Sequence, residues 1–132
     1  MPKPNPSDRF YSKDHEWIKD LGDGTALIGI TDYAQEMLTD IVFVELPEPG
    51  KKIAAGEPLA VVESVKSVSD VYAPVGCEVI EVNTELEGAP ELINSDAFGA
   101  GWIAKVRPDD AAELGTLLAA ADYNKLIRED GQ

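Results

Sequence analysis

Short apolar runs broken by turn residues dominate the chain, and few of them are long enough for a helix. Thr25-Ala26-Leu27-Ile28-Gly29-Ile30, Ile41 to Leu46, Pro58-Leu59-Ala60-Val61-Val62, Val68-Ser69-Asp70-Val71-Tyr72, Val75 to Ile80 and Trp102-Ile103-Ala104-Lys105-Val106 each read as a strand. Between them stand Asp20-Leu21-Gly22-Asp23-Gly24, Pro47-Glu48-Pro49-Gly50 and Ala73-Pro74-Val75-Gly76, where proline removes a ladder donor and glycine accepts turn dihedrals. Two stretches carry helical periodicity instead. Over 32–39, Asp32 and Gln35 have capping-box spacing, and Tyr33, Ala34, Met37 and Leu38 fall on one face as expected core contacts. Over 110–128, Asp110 and Glu113 repeat that spacing and Leu114, Leu117, Leu118 and Ala121 recur at i, i+3, i+4 and i+7, with a break near Gly115 and a second apolar grip from Tyr123, Leu126 and Ile127. Residues 84–95 read as loop and short helical turns. The expected fold is mainly β, a flattened barrel or sandwich of two antiparallel sheets with one short helix and a C-terminal helical segment. Residues 1–9, rich in proline, read as an extended lead-in to a single domain over 10–132.

Composition narrows the function. The 25 acids against 11 bases give a net charge of −14, which repels nucleic acid and favours electropositive protein partners. The single Cys77 cannot form an internal disulfide and reads as an inert small hydrophobe. His15 has no second histidine or cysteine beside it, so a hydrogen-bonded structural imidazole is expected rather than a metal ligand. No apolar run approaches membrane-spanning length, and Met1-Pro2-Lys3-Pro4-Asn5-Pro6 lacks the character of a signal or transit peptide. The expectation is a cytoplasmic monomer, or a processed organellar form. Nothing pairs a nucleophile with a base or builds a phosphate loop, so no catalytic residue is assigned.

One lysine stands apart. Lys66 lies in the bend between the strands 58–62 and 68–72, preceded by Gly56-Glu57, an apolar strand, Glu63 and two intervening residues. This layout resembles the attachment hairpin of lipoyl and biotinyl carrier domains. Tyr11-Ser12-Lys13-Asp14-His15-Glu16-Trp17, Gly29-Ile30-Thr31-Asp32-Tyr33-Ala34-Gln35, Val42 to Pro47, Val62-Glu63-Ser64-Val65-Lys66, Glu81-Val82-Asn83, Leu92 to Asp96 and Gly101-Trp102-Ile103 follow the order and spacing of the H protein family of the glycine cleavage system. The resemblance covers roughly residues 10–128. One departure is Gly76-Cys77, where that family usually has a small polar residue and then glycine before the Glu-Val pair; read as a two-residue hairpin loop, it predicts a positive φ at Gly76 and not at Cys77.

The resemblance implies a carrier without catalysis of its own. Lys66 would be amide-linked to lipoate by a lipoyl-attaching enzyme, which is needed because lysine amines are generally protonated at neutral pH. A pyridoxal-phosphate glycine decarboxylase (P protein) would load an aminomethyl group, an aminomethyltransferase (T protein) would pass its carbon to tetrahydrofolate, and a dihydrolipoamide dehydrogenase (L protein) would reoxidise the dithiol. The loaded arm would rest in a cleft beside the His-Glu-Trp segment, against Glu16 and Asp70; Asp14 stands where relatives vary and its part is left open. The rivals are a biotin carrier, which normally places methionines where Val65 and Ser67 stand, a lipoyl domain of a 2-oxo acid dehydrogenase, which usually has aspartate before its lysine, and an unmodified acidic binding module.

Overall fold

The computed structural model describes residues 5–130, so residues 1–4 of the lead-in and residues 131–132 of the domain lie outside it. Nine short strands form two antiparallel sheets. The larger contains β1 (Phe10–Tyr11), β2 (Glu16–Asp20), β3 (Ala26–Ile30), β9 (Ala104–Pro108), β8 (Cys77–Val82) and β5 (Lys52–Ile53), in that spatial order. The smaller contains β4 (Ile41–Glu45), β6 (Pro58–Ser64) and β7 (Val68–Tyr72). Among the described residues the sheets share no ladder and do not close into a barrel. This is the sandwich that the alternation of apolar and polar positions predicts.

The main core lies between the sheets. Ile18, Ile28, Ile30, Val79 and Val106 from the larger meet Ile41, Val44, Leu59, Val62 and Val71 from the smaller. A second, aromatic cluster of Tyr11, Trp17 and Tyr123 is covered by Phe98, Leu118, Leu126 and Ile127. Consequently β2 is buried on both faces from its first residue, and Glu16, Trp17 and Ile18 are all enclosed. Gly29 pairs with Trp17 across β2 and β3, and an added Cβ would lie 2.7 Å from the indole. Only glycine lets that ring lie flat on the neighbouring strand.

The helices are short. α1 spans Asp32–Leu38, but its N-cap is Thr31, whose hydroxyl accepts from the Ala34 N–H at 3.2 Å. Asp32 instead accepts from the Gln35 side chain at 3.0 Å from inside the first turn. Met37, expected in the core, is exposed: the last turn of α1 lies beside Lys66, whose amine donates to the Met37 carbonyl, and not over the core. α2 (Glu85–Gly88) and α3 (Leu92–Ser95) are single turns. The C-terminal segment is not one helix. A 3₁₀ turn over Ala111–Thr116, capped by Asp110, gives way to extended backbone, and α4 begins only at Ala120 and runs to Asp130. The break has a tertiary cause: Leu118 exchanges both backbone hydrogen bonds with Tyr11, each 2.8 Å, which a helical residue cannot do.

The expectation for Gly76 fails. Positive φ occurs at Gly22, Gly24, Gly50 and Gly56, and not at Gly76. β7 and β8 belong to different sheets, so residues 73–76 cross between layers and form no hairpin loop. Gly76 is confined instead by proximity: its carbonyl accepts from the Asp109 N–H at 2.9 Å, and a Cβ there would meet the Asp109 carboxylate at 3.0 Å.

Candidate functional site

Lys66 sits at the exposed tip of the β6–β7 hairpin. Two-residue hairpins favour turns with positive φ, yet neither Val65 nor Lys66 adopts one. The Ser64 side chain supplies what the backbone then lacks: its hydroxyl oxygen accepts from the N–H of Lys66 (3.2 Å) and of Ser67 (3.0 Å), while the Ser64 N–H donates to the Ser67 carbonyl at 2.8 Å. The Val65 N–H donates to Asp40 O at 3.0 Å, fixing the tip against the residue before β4. The Lys66 amine donates to the Met37 carbonyl at 3.0 Å, in the last turn of α1, where a cation also complements the helix dipole.

The surface around this tip is unlike the rest of the molecule. Of the six large apolar side chains exposed among the described residues, five (Met37, Val42, Phe43, Val65 and Val68) lie on it, at 44–69% exposure. A bulge after Ile41 turns two consecutive residues of β4, Val42 and Phe43, outward. Register then places Phe43, Glu63 and Val68 in one row across the small sheet and Glu45, Val61 and Asp70 in the next. The result is an apolar area threaded with carboxylates. Lys66 is the only base between Lys52 and Lys105, and residues 20–50 contain none.

Glu16 lies elsewhere, at the start of β2, on the face shared with Ile18 and turned toward the small sheet. It is only 2% exposed. The Ser12 hydroxyl donates to one carboxylate oxygen at 2.5 Å and the Tyr72 N–H, at the end of β7, donates to the other at 3.1 Å. Burial pushes its pKa up from 4.5 to about 7; the two hydrogen bonds oppose that rise and the nearby Asp14 charge adds to it. Glu16 lines a cleft of about 330 Å³ together with Tyr11, Tyr72, Pro74, Leu117 and Leu118, and with Ser12, Lys13 and Asp14 from the turn before β2. It is an apolar slot with an acid inside. Asp70 does not line it. It is exposed on β7, two residues before Tyr72 and therefore on the same face, between the hairpin tip and the cleft.

The fold also brings together groups that the sequence did not single out. Ser12 is one, since no local signal marks its hydroxyl as a partner of Glu16. Another is the Tyr123 hydroxyl, which contacts His15 Nδ1 at 2.9 Å and the Thr31 hydroxyl at 2.7 Å. His15 is thus a hydrogen-bonded imidazole, packed against the rings of Tyr33 and Tyr123. Cys77 is fully buried, and burial, with Asp109 adding its charge, pushes its thiol up to about 11. Among the described residues no helix is long and apolar enough to cross a membrane.

Comparison with known proteins bears on all of this. The family model described as Glycine cleavage H-protein matches residues 9–130. The chain is 54% identical over 125 residues to the glycine cleavage system H protein of Pseudoalteromonas translucida, covering 95% of this chain and 97% of that one. To the glycine cleavage system H protein of Thermus thermophilus it is 53% identical, with the same coverage. In three dimensions it resembles a glycine cleavage system H protein from Mycobacterium marinum with a TM-score of 0.86, at 42% identity over 97% of this chain and 100% of that chain. An exposed lysine at a hairpin tip, a two-sheet sandwich and similarity along nearly the full length agree: the chain belongs to the glycine cleavage H-protein family.

Proposed function

We propose that this protein is the lipoylated carrier of the glycine cleavage system, with Lys66 as its attachment residue and no chemical step of its own. The observation that carries the reading is the exposed amine of Lys66 on a turn that Ser64 holds from within the hairpin. The geometry fits an acyl group there: an amide nitrogen keeps one N–H for the Met37 carbonyl, so the contact at the tip survives acylation. Lipoate, held through Lys66, would supply a disulfide on a long arm for carrying an aminomethyl group between the decarboxylase and the aminomethyltransferase, with the dehydrogenase restoring it.

The chain's own residues do the rest. Met37, Phe43, Val65 and Val68 offer the lipoyl-attaching enzyme and the three cycle enzymes an apolar footing, and Glu45, Glu63 and Asp70 favour partners with basic rims. Glu16 receives a primary ammonium in the cleft, where water is limited and a carboxylate is already oriented by Ser12 and Tyr72. Asp70 adds a second carboxylate on the route. From Val68 to Tyr72 is four strand steps, about 13 Å. The carrier works as a monomer in the cytoplasm, within reach of each enzyme.

The test is intact mass after co-expression with a lipoyl-attaching enzyme, followed by reconstitution of glycine decarboxylation. Wild type gains one lipoyl adduct and supports turnover, whereas Lys66→Arg gains none and supports none. A biotin adduct in its place, or lipoylation of Lys66→Arg, overturns the assignment.

A further inference from the structure

The residue before Glu16 has an unusual backbone. His15 adopts φ +72°, a left-handed conformation that costs a residue with a Cβ free energy and that neighbouring contacts must hold. Its N–H donates to Ser12 O at 3.1 Å, and its carbonyl accepts from the Thr31 N–H at 3.0 Å. A third contact comes from the opposite end of the chain. Tyr123, fully buried in α4, places its hydroxyl between His15 Nδ1 and the Thr31 hydroxyl, while its ring stacks on Tyr11 at 4.8 Å with the planes 10° apart. The hydroxyl donates to one neighbour and accepts from the other, so both proton arrangements satisfy it. His15 and Thr31 are the residues whose backbones meet at the mouth of β2 and β3, directly before the carboxylate that the cleft requires.

We propose that Tyr123 is a positioning residue: its hydroxyl, bridging His15 and Thr31, holds the left-handed turn that directs the Glu16 carboxylate into the cleft. The C-terminal segment therefore contributes twice to the same site, through Leu117 and Leu118 in the cleft lining and through Tyr123 as the clamp on His15 and Thr31. This rests on the reading that Glu16 receives an ammonium group, and it adds the element that holds Glu16 ready. The other ionisable groups lining the cleft are Asp14, which opposes ionisation of Glu16, Lys13, Tyr72 and Tyr11; burial holds the phenols of Tyr11 and Tyr123 above the ordinary range.

The experiment follows the Glu16 side-chain carboxyl carbon by NMR as pH is varied, in the unlipoylated chain. Tyr123→Phe keeps the ring and its stacking but removes the hydroxyl. The Glu16 midpoint is expected to fall by about one unit toward the ordinary carboxylate range as the turn loosens and water enters. His15→Asn, which tolerates the left-handed backbone but lacks the imidazole and its titration, should give the same shift. The double variant should add nothing to either single one, as for two residues acting through one contact. Ile53→Val, a core change in β5 outside the cleft lining, should lower stability without moving the midpoint. An unmoved midpoint in Tyr123→Phe, or shifts that add in the double variant, overturns the proposal. On the loaded carrier, without transferase, Tyr123→Phe should speed ammonia loss by roughly fivefold, in the same direction as Glu16→Ala. If Glu16→Ala leaves that rate unchanged, the ammonium-docking reading fails, while the titration still decides the role of Tyr123.

Discussion

Replacing Glu16 by glutamine should stabilise the unlipoylated protein by an amount that grows as pH rises from 4.5 to about 7. In the unfolded chain this carboxyl titrates at 4.5, and in the folded one burial raises it to about 7. Between those values the folded state holds a proton that the unfolded state has released, so this group's contribution to stability declines as pH rises across the window. Above the folded value the loss is complete. The shift from 4.5 to about 7, at 1.36 kcal/mol per unit, amounts to about 3 kcal/mol. Glutamine has the shape of the protonated acid and can keep both contacts, its oxygen accepting from the Tyr72 N–H and its amide donating to the Ser12 hydroxyl. It cannot ionise, so the remaining acids cancel in the comparison with wild type. Urea denaturation at pH 4 and pH 8.5 should show near-equal stability at the lower pH and an advantage of about 3 kcal/mol for Glu16→Gln at the higher. An equal difference at both pH values would refute the reasoning, since a packing effect carries no pH dependence.

Gly29→Ala should destabilise by roughly 1–3 kcal/mol in the same assay, because the Trp17 ring it strikes is fixed by Nε1 donating to Ile30 O at 2.9 Å and Ala97 O at 3.0 Å; an unchanged midpoint would mean that the ring can move. Cys77 should resist a thiol reagent at pH 8 and react promptly only in denaturant, being fully buried with its thiol pushed up to about 11; labelling of the native chain at a free-thiol rate would contradict that placement. Association with the glycine decarboxylase should slow steeply as salt rises past the point where the Debye length is about 8 Å. Rates independent of salt would assign the net charge of −14 to solubility alone.

Where the chemistry of a segment is local, the sequence reports it. The hairpin around Lys66 is legible because alternation runs in from Pro58 and out to Tyr72, and the Asp110 cap of the 3₁₀ turn was visible for the same reason. Long-range partners were not. Leu117 and Leu118 fit a helical period equally well, and only the pairing of Leu118 with Tyr11 pulls the backbone straight there. Met37 follows the stripe of α1, but the spacing of a stripe does not say that its last turn meets the Lys66 tip and not the core. Glu16 was singled out by resemblance alone, and its enclosure could not be read, because β2 is covered on both faces and the alternation that marks an exposed position is missing there. Gly76 was misread because a turn between two strands does not reveal whether those strands share a sheet.

The two oxygens of Glu16 join parts of the molecule with separate origins. Glu16 belongs to the six-stranded sheet and the Tyr72 N–H to the three-stranded one, whereas the turn at Lys66 is tied by Ser64 within the hairpin and by the Met37 and Asp40 carbonyls on the segment that leads into β4 of the same small sheet. The protein is therefore modular in one respect and indivisible in the other. A mutation that slides the sheets by a fraction of an ångström would leave the address for acylation readable and blunt only the shelter, yielding a carrier that is modified normally yet leaks its cargo. Screens that score attachment alone would pass such a variant as intact.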